Sequence, residues 1–426
     1  MQIGVAGMAN VALSDVLRAK EASARLGQDK KDTSVILIWL DGGPSPLDLW
    51  DMKPDAPPGY HGICSRPMRT NVPGIHITDM FPRQAKVADK YSIIRSVQHN
   101  TNSHGGAAHV TLTGRYQGPY PSVASVASKV CGARKKGVPP YVGIPISRTI
   151  GKIPGSLGAG YLGMQYNPFD ISGNFNGDRV EVENFSLPAG LTVDRLEDRK
   201  NLQKHLDQVC RTMDSSGTFE AMDEFQIQAF DLVTSPAARK AFDLGSEDPD
   251  LRARYGRNGW GQSCLLARRM VEAGSVFATV NFPNWDQHWN LEGEYRRRLP
   301  MMDAAVATLF EDLAARDLLS KVLVVVAGEM GRTPRMNNGH GKGTPGRDHW
   351  SNAMSLLMGG GGVQGGQIVG VTDSRGETPI DRPLTPGDIH ATIYHVLGVD
   401  PRISFLDKSG RPVPIVEHGH VIDELV

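Results

Sequence analysis

Little in this 426-residue sequence points to a membrane, a nucleic acid or a redox centre. Cysteine is scarce, and the four present (Cys64, Cys131, Cys210 and Cys264) form no C-x-x-C pair. Zinc-finger and thioredoxin-type arrangements are thereby excluded. Buried free thiols are expected over two long-range disulfides, because free cysteine is among the most buried residue types. Neither charge sign is in surplus: Lys+Arg and Asp+Glu each number 46. A general nucleic-acid or anionic-membrane binder needs a basic excess to replace counterions, so neither is expected. No stretch approaches the ~20 consecutive apolar residues of a membrane-spanning helix. Internal repeats are also lacking.

What is present is an ordinary globular profile, 40% hydrophobic and 22% charged, with 48 glycines and 28 prolines that imply many turns. Residues 1–32 read either as an N-terminal helix or tail, or as the remnant of an export signal. The apolar start is interrupted by Asn10, Ser14 and Asp15, and no Lys or Arg precedes it. From Val35 the run VILIWL is continuous and rich in β-branched residues, as suits a strand buried on both faces of a parallel sheet. Similar runs follow at 91–97, 275–282, 321–329 and 353–358. Between the third and fourth of these five runs, Leu299, Met302, Val306, Leu309 and Leu313 form one apolar stripe, predicting a helix from about Arg296 to Leu319. Strand, crossover helix and strand mark an α/β fold with a mostly parallel sheet. Residues 33–426 are expected to form a single domain. Within it, 151–260 read as a cap or insertion: Gly/Asn/Pro-rich to 190, then charged helical segments at 194–213 and 219–233.

Ligands of open α/β sheets bind beyond the carboxyl ends of the strands. The first run delivers Asp41 there; the run at 275–282 is followed by Asp286 and His288; the run at 321–329 ends on Glu329 and leads to Arg332. Asp348 and His349 precede the last run, and the run at 91–97 leads into His99, Ser103, His104 and His109. Carboxylates and imidazoles are the oxygen and nitrogen ligands of hard and borderline divalent ions. Singly, each has a plainer explanation as a turn, a helix cap or a hydrogen-bonded core histidine. Their convergence from five segments is what suggests a metal. His390 and His395, five apart on a helical pattern, share no face and receive no role. Trp39, inside a strand, and Trp350, beside His349, are expected to be packing residues.

Seven motifs occur in order. They are Asp41-Gly42-Gly43-Pro44-Ser45 with Asp51-x-Lys53-Pro54; Asn71-x-Pro73-Gly74; Thr113-Gly114-Arg115; Trp285-Asp286-x-His288; Gly328-Glu329-x-Gly331-Arg332-Thr333-Pro334; Gly346-Arg347-Asp348-His349-Trp350; and Thr385-Pro386-x-Asp388-x-x-Ala391-Thr392-Ile393-Tyr394. Together they resemble a bacterial, sulfatase-like family of unknown function within the alkaline phosphatase superfamily. The resemblance runs from about Thr33 to the C-terminus. It implies an alkaline-phosphatase-like three-layer α/β/α sandwich. It also implies export to the periplasm or beyond, although no Arg-Arg pair lies near the start of this chain; the alternative is a cytoplasmic protein.

By the same resemblance, Asp41, Asp286, His288, Glu329, Asp348 and His349 would hold one or two divalent ions (Zn, Mn, Mg or Ca). The sequence departs from the superfamily at two points. Glu329-Met330 stands where an Asp-His pair is usual, and a thioether is a poor ligand for a hard ion. When the sulfatase signature is laid on residues 104–115 by its Thr-Gly-Arg, His104 falls at the nucleophile, and Gly106, Ala107 and Ala108 replace Pro, Ser and Arg. The formylglycine mechanism is therefore excluded. The expected function is hydrolysis of a phosphate or sulfate ester, on a small molecule or saccharide. His104 would be nucleophile, base or ligand, Ser103 the alternative nucleophile, and Arg115, Arg332 or Arg347 an anion clamp. The competing expectation is a non-catalytic descendant that binds a sulfated or phosphorylated saccharide, or a partner protein. For Arg115 and Arg332 the competing role is a structural ion pair.

Overall fold

The computed structural model describes residues 32–62, 66–145, 157–176, 181–182 and 235–426. Most of the expected 151–260 insertion, together with Cys64 and Cys210, lies outside them, as do residues 1–31. Eight strands form the main sheet: β1 (Ser34–Leu40), β2 (Ser92–Val97), β3 (Tyr141–Ile144), β4 (Phe169–Asp170), β5 (Phe277–Phe282), β6 (Val322–Ala327), β7 (Met354–Gly359) and β8 (Ile368–Val369). Their spatial order is β8-β2-β7-β6-β1-β5-β3-β4. β1 lies at the centre, parallel to both β6 and β5. Seven strands point one way and β7 runs against them, antiparallel to β6 and to β2. All seven residues of β1 are buried, so its side chains serve both faces. Ile36, Ile38 and Leu40 pack with Leu265, Met270, Leu299 and Val306 of α5 (Gly259–Ala273) and α6 (Leu291–Ala315). Val35, Leu37 and Trp39 pack with Leu112, Val126 and Ile393 of α1 (His104–Thr113), α2 (Val123–Cys131) and α7 (Pro386–Val396). Two short helices, α3 (Pro236–Phe242) and α4 (Pro249–Tyr255), lie with α5 and α6. The result is the three-layer α/β/α sandwich expected from the sequence. At ~1.5–3 kcal/mol per fully buried aliphatic side chain, the two-sided burial of β1 fixes it as the axis of both cores.

Two expectations are corrected. The run at 353–358 is not part of the parallel set: β7 is antiparallel, and Met354 at its start pairs with Val97 at the end of β2. Residues that precede β7 therefore emerge at the same edge as residues that follow β1, β5 and β6. The helix expected from about Arg296 begins five residues earlier, at Leu291. Pro300 lies inside it, and the apolar stripe from Leu299 onward carries the element past the missing N–H. Its first turn is polar, with Glu292 paired to Arg296, and Glu294 to Arg297 and Arg298. Cys264 is a buried free thiol, and Cys131 is half-buried.

Candidate metal centre

The end of β1 must pass close to two other segments, and glycine makes that possible. Gly42 and Gly43 have φ of +116° and +74°. A Cβ on Gly42 would stand 2.6 Å from the Asp286 backbone nitrogen, and one on Gly43 2.8 Å from the Met330 carbonyl oxygen. The Gly42 N–H then donates to both carboxylate oxygens of Glu329, at 2.9 and 3.1 Å. Met330 is buried against this turn rather than offered to solvent. Asp41 is buried too, and its backbone joins β1 to β5 by bonding Phe282 and Trp285.

His104 is the first residue of α1. Its Nδ1 lies 2.8 Å from Glu329 Oε1 and its Nε2 3.2 Å from Asp286 Oδ2. Asp286 Oδ1 in turn meets His349 Nε2 at 3.1 Å and His288 Nε2 at 3.0 Å. On the far side, Asp348 Oδ1 lies 2.6 Å from His288 Nδ1 and 2.7 Å from His340 Nε2. Two groups of three metal-ligand types result: His104, Asp286 and His349, and beside them His288, His340 and Asp348. They touch where His288 Nε2 stands 3.2 Å from His349 Nε2. The sequence reasoning named five of these six residues. Asp41 and Glu329, which it also named, belong to neither group. His340 it missed. Its flanks, Asn338-Gly339 and Gly341-Lys342, read as an ordinary loop, and His340 adopts a left-handed φ of +51° where its ring meets Asp348.

Hydrogen bonds to Asp286 and then Glu329 push the His104 imidazolium up to about 9, against an opposing effect of burial. Burial alone would raise Asp286, but His104, His349 and the Arg332 guanidinium hold its carboxyl far below the usual range. Asp348 is likewise lowered, despite some burial, by His288, His340 and Asn337. The fit to a metal can be judged from the donors themselves. Within each group the ligand atoms all lie within 4.8 Å of one another. Ligand bonds of ~2.0–2.6 Å allow opposite donors to stand about 4–5 Å apart across one ion. Imidazole nitrogens mixed with carboxylate oxygens suit a borderline or hard divalent ion. The donor set fits.

The three arginines expected as anion clamps each have partners within the protein. Arg332 is fully buried; it donates from Nε to Gly43 O at 2.7 Å, from Nη1 to Arg347 O at 3.2 Å, and from Nη2 to Gly42 O and, at 2.6 Å, to Asp286. Arg347 is spent on Asp48 and on the carbonyls of His61, Thr333 and Pro334. Arg115 binds Glu417 and the Pro414 carbonyl, in the C-terminal segment. Ser103 is the N-cap of α1, its hydroxyl accepting from Gly106 N. Trp39 is fully buried, and Trp350 is half-buried with its indole N–H on the Glu377 carbonyl.

The α/β/α sandwich thus gathers imidazoles and carboxylates at the carboxyl edge of its sheet. The chain belongs to the family described as "Protein of unknown function (DUF1501)", which matches residues 32–426. No curated protein matches it. Among solved structures it is similar to Ps i-CgsB in complex with k-i-k-neocarrahexaose, at 11% identity over 87% of this chain and 73% of that one, with a TM-score of 0.38. A protein in the alkaline phosphatase superfamily from Vibrio parahaemolyticus matches at 9% identity, over 86% and 66% of the two chains, with a TM-score of 0.37. The phosphonate monoester hydrolase of Agrobacterium radiobacter matches at 9% identity, over 92% and 77%, also with a TM-score of 0.37.

Proposed function

We propose that this protein is a metal-dependent hydrolase of phosphate or sulfate esters, with His104 in the place of a conventional nucleophile. The observation that carries the reading is the pair of abutting ligand groups, His104–Asp286–His349 and His288–His340–Asp348. Each would hold one divalent ion, zinc or manganese suiting the imidazoles and magnesium or calcium the carboxylates. A bound ion supplies a polarised ester oxygen and a water acidic enough to attack at neutral pH. The remaining work falls to the chain. Arg332 fixes Asp286, and Asn337 donates to both Asp348 and the His288 carbonyl. Glu329, itself held by the Gly42 N–H, fixes the His104 ring. Residues in 151–260 would contribute to substrate choice, and the protein would act outside the cytoplasm. No helix among the described residues is long and apolar enough to cross a membrane.

A second reading has its own support: both ring nitrogens of His104 already face carboxylates, and the Ser103 hydroxyl is used as a cap. That arrangement suits a descendant that binds an anionic ester without cleaving it. Elemental analysis of protein purified without chelator, alongside turnover of 4-nitrophenyl phosphate, its diester and 4-nitrophenyl sulfate, separates the two. Bound metal with turnover is expected, with His104→Ala inactive and Ser103→Ala retaining most activity. Bound metal without turnover on any ester would favour the binding protein. A fully active His104→Ala protein would remove His104 from the mechanism.

A further inference from the structure

We infer that Trp289 and Lys342 form a saccharide subsite beside the metal centre, in which the indole stacks a sugar ring and the ammonium takes a second negative substituent on it. This rests on the ester-hydrolase reading and adds to it the alcohol half of the ester.

Of the six tryptophans, Trp39, Trp50 and Trp285 are fully buried and Trp260 and Trp350 half-buried; Trp289 alone is exposed, at 47%. It directly follows His288, and the two ring centroids are 6.5 Å apart. Its place is set by close backbone packing: a Cβ on Gly346 would stand 2.2 Å from the His288 carbonyl carbon and 2.4 Å from Trp289 N. The loop opposite is pinned at both ends by Asn337, whose side-chain oxygen accepts from Gly339 N and Gly346 N. That one loop brings His340 to Asp348 and Lys342 Nζ to 5.8 Å from the centre of the Trp289 ring. The rim therefore offers, next to the ligand groups, an exposed indole with an ammonium over one side of its ring.

An indole face attracts the polarised C–H groups on one side of a pyranose, and an exposed aromatic ring gains by covering its apolar area. An ammonium is a compact point charge, suited to a sulfate, phosphate or carboxylate group without requiring planar geometry. An ester held at His288 would have the Trp289 ring, 6.5 Å from the imidazole centroid to centroid, within reach of its alcohol portion. A small acyclic ester would leave both residues unused. A sugar ring carrying a further negative group would use both.

The test is isothermal calorimetry on the full chain with three probes: a disaccharide carrying two sulfates, its singly sulfated form and its unsulfated form. Wild type, Trp289→Ala, Trp289→Phe and Lys342→Gln are compared, with the metal content of each preparation measured. Wild type should bind the sulfated probes. Trp289→Ala should weaken both roughly tenfold and Trp289→Phe less, the size of one aromatic contact. Lys342→Gln should weaken only the doubly sulfated probe, by roughly fivefold at low salt. Equal affinity of Trp289→Ala and wild type, or no binding of any probe by metal-containing wild type, overturns the subsite. Trp289-dependent binding by wild-type protein that carries no metal sustains the subsite and overturns the hydrolase reading instead.

Discussion

Arg332 shows how much of the centre depends on residues that could never touch a substrate. Its fork of donors spans Asp286 and three backbone carbonyls from two different turns. Lysine has a point charge and no fork, so Arg332→Lys should orphan buried acceptors. Asp286 is partly exposed, so most of the loss comes from the carbonyls, about 3 kcal/mol in all. Urea unfolding measures it; an unchanged midpoint would mean that the carbonyls find other donors. His340 is the opposite case, a half-exposed side chain bonded to Asp348 at the rim. His340→Ala should lower the bound metal per chain while leaving the unfolding midpoint of the chelated protein nearly unchanged. At this scale the sequence was partly legible. Asp286, His288, Asp348 and His349 stand beside apolar runs whose ends could be placed. The commitment of Arg115 to Glu417, more than three hundred residues on, has no local signal at all.

Among the elements, the turn after β1 is the most constrained. Gly42→Ala would put a methyl group onto the Asp286 backbone nitrogen, at a φ that side chains rarely adopt. It should cost well over 1 kcal/mol and lower metal content together with melting temperature; a melting temperature equal to wild type would show that the turn can relax. α1 and α7 meet at a different kind of joint. His390 is buried on α7 with Nε2 2.8 Å from the Thr111 carbonyl, and burial pushes it down to about 4. The unfolded chain therefore binds a proton first as pH falls. The contribution of His390 to stability is complete above pH ~6.5 and is lost as pH falls through about 4, at up to about 1.4 kcal/mol per pH unit. His390→Gln should flatten the stability profile between those pH values, and denaturant midpoints at pH 4.5 and 7.5 would show it. Strand direction was the element-scale surprise. A short buried apolar run reads the same in either direction, so β7 could be located but not oriented. Its reversal is nevertheless what brings His349, from the near side of a strand, to the edge where the others lie on the far side.

Across the whole molecule, the layered core was the most legible feature, because two-sided burial leaves an unmistakable continuous run such as residues 35–40. The loop that carries His340 and Lys342 was the least legible. Its glycines at 339, 341 and 343 all have positive φ, and a glycine-rich stretch declares a turn without declaring what the turn presents. Composition was equally silent about 151–260, whose described part supplies β4 to the main sheet and α3 and α4 to a helical layer.

The two ligand groups also bear on the endurance of the fold, because the members of one of them come from distant parts of the sequence. His104 and Asp286 are separated by more than a third of the chain, and His340 and His349 lie on a further stretch beyond α6. A cation gripped by all of these would act as a removable staple, closing long loops much as a cross-link does. Resistance to heat and to proteases should then become a function of free cation concentration, gaining about 2.7 kcal/mol at a hundred times the dissociation constant. Dialysis against chelator should lower the melting temperature reversibly, and a melting temperature indifferent to chelator would mean that no such staple exists. If it does exist, the availability of a trace metal would decide how long each copy of this protein survives, whatever it does to an ester.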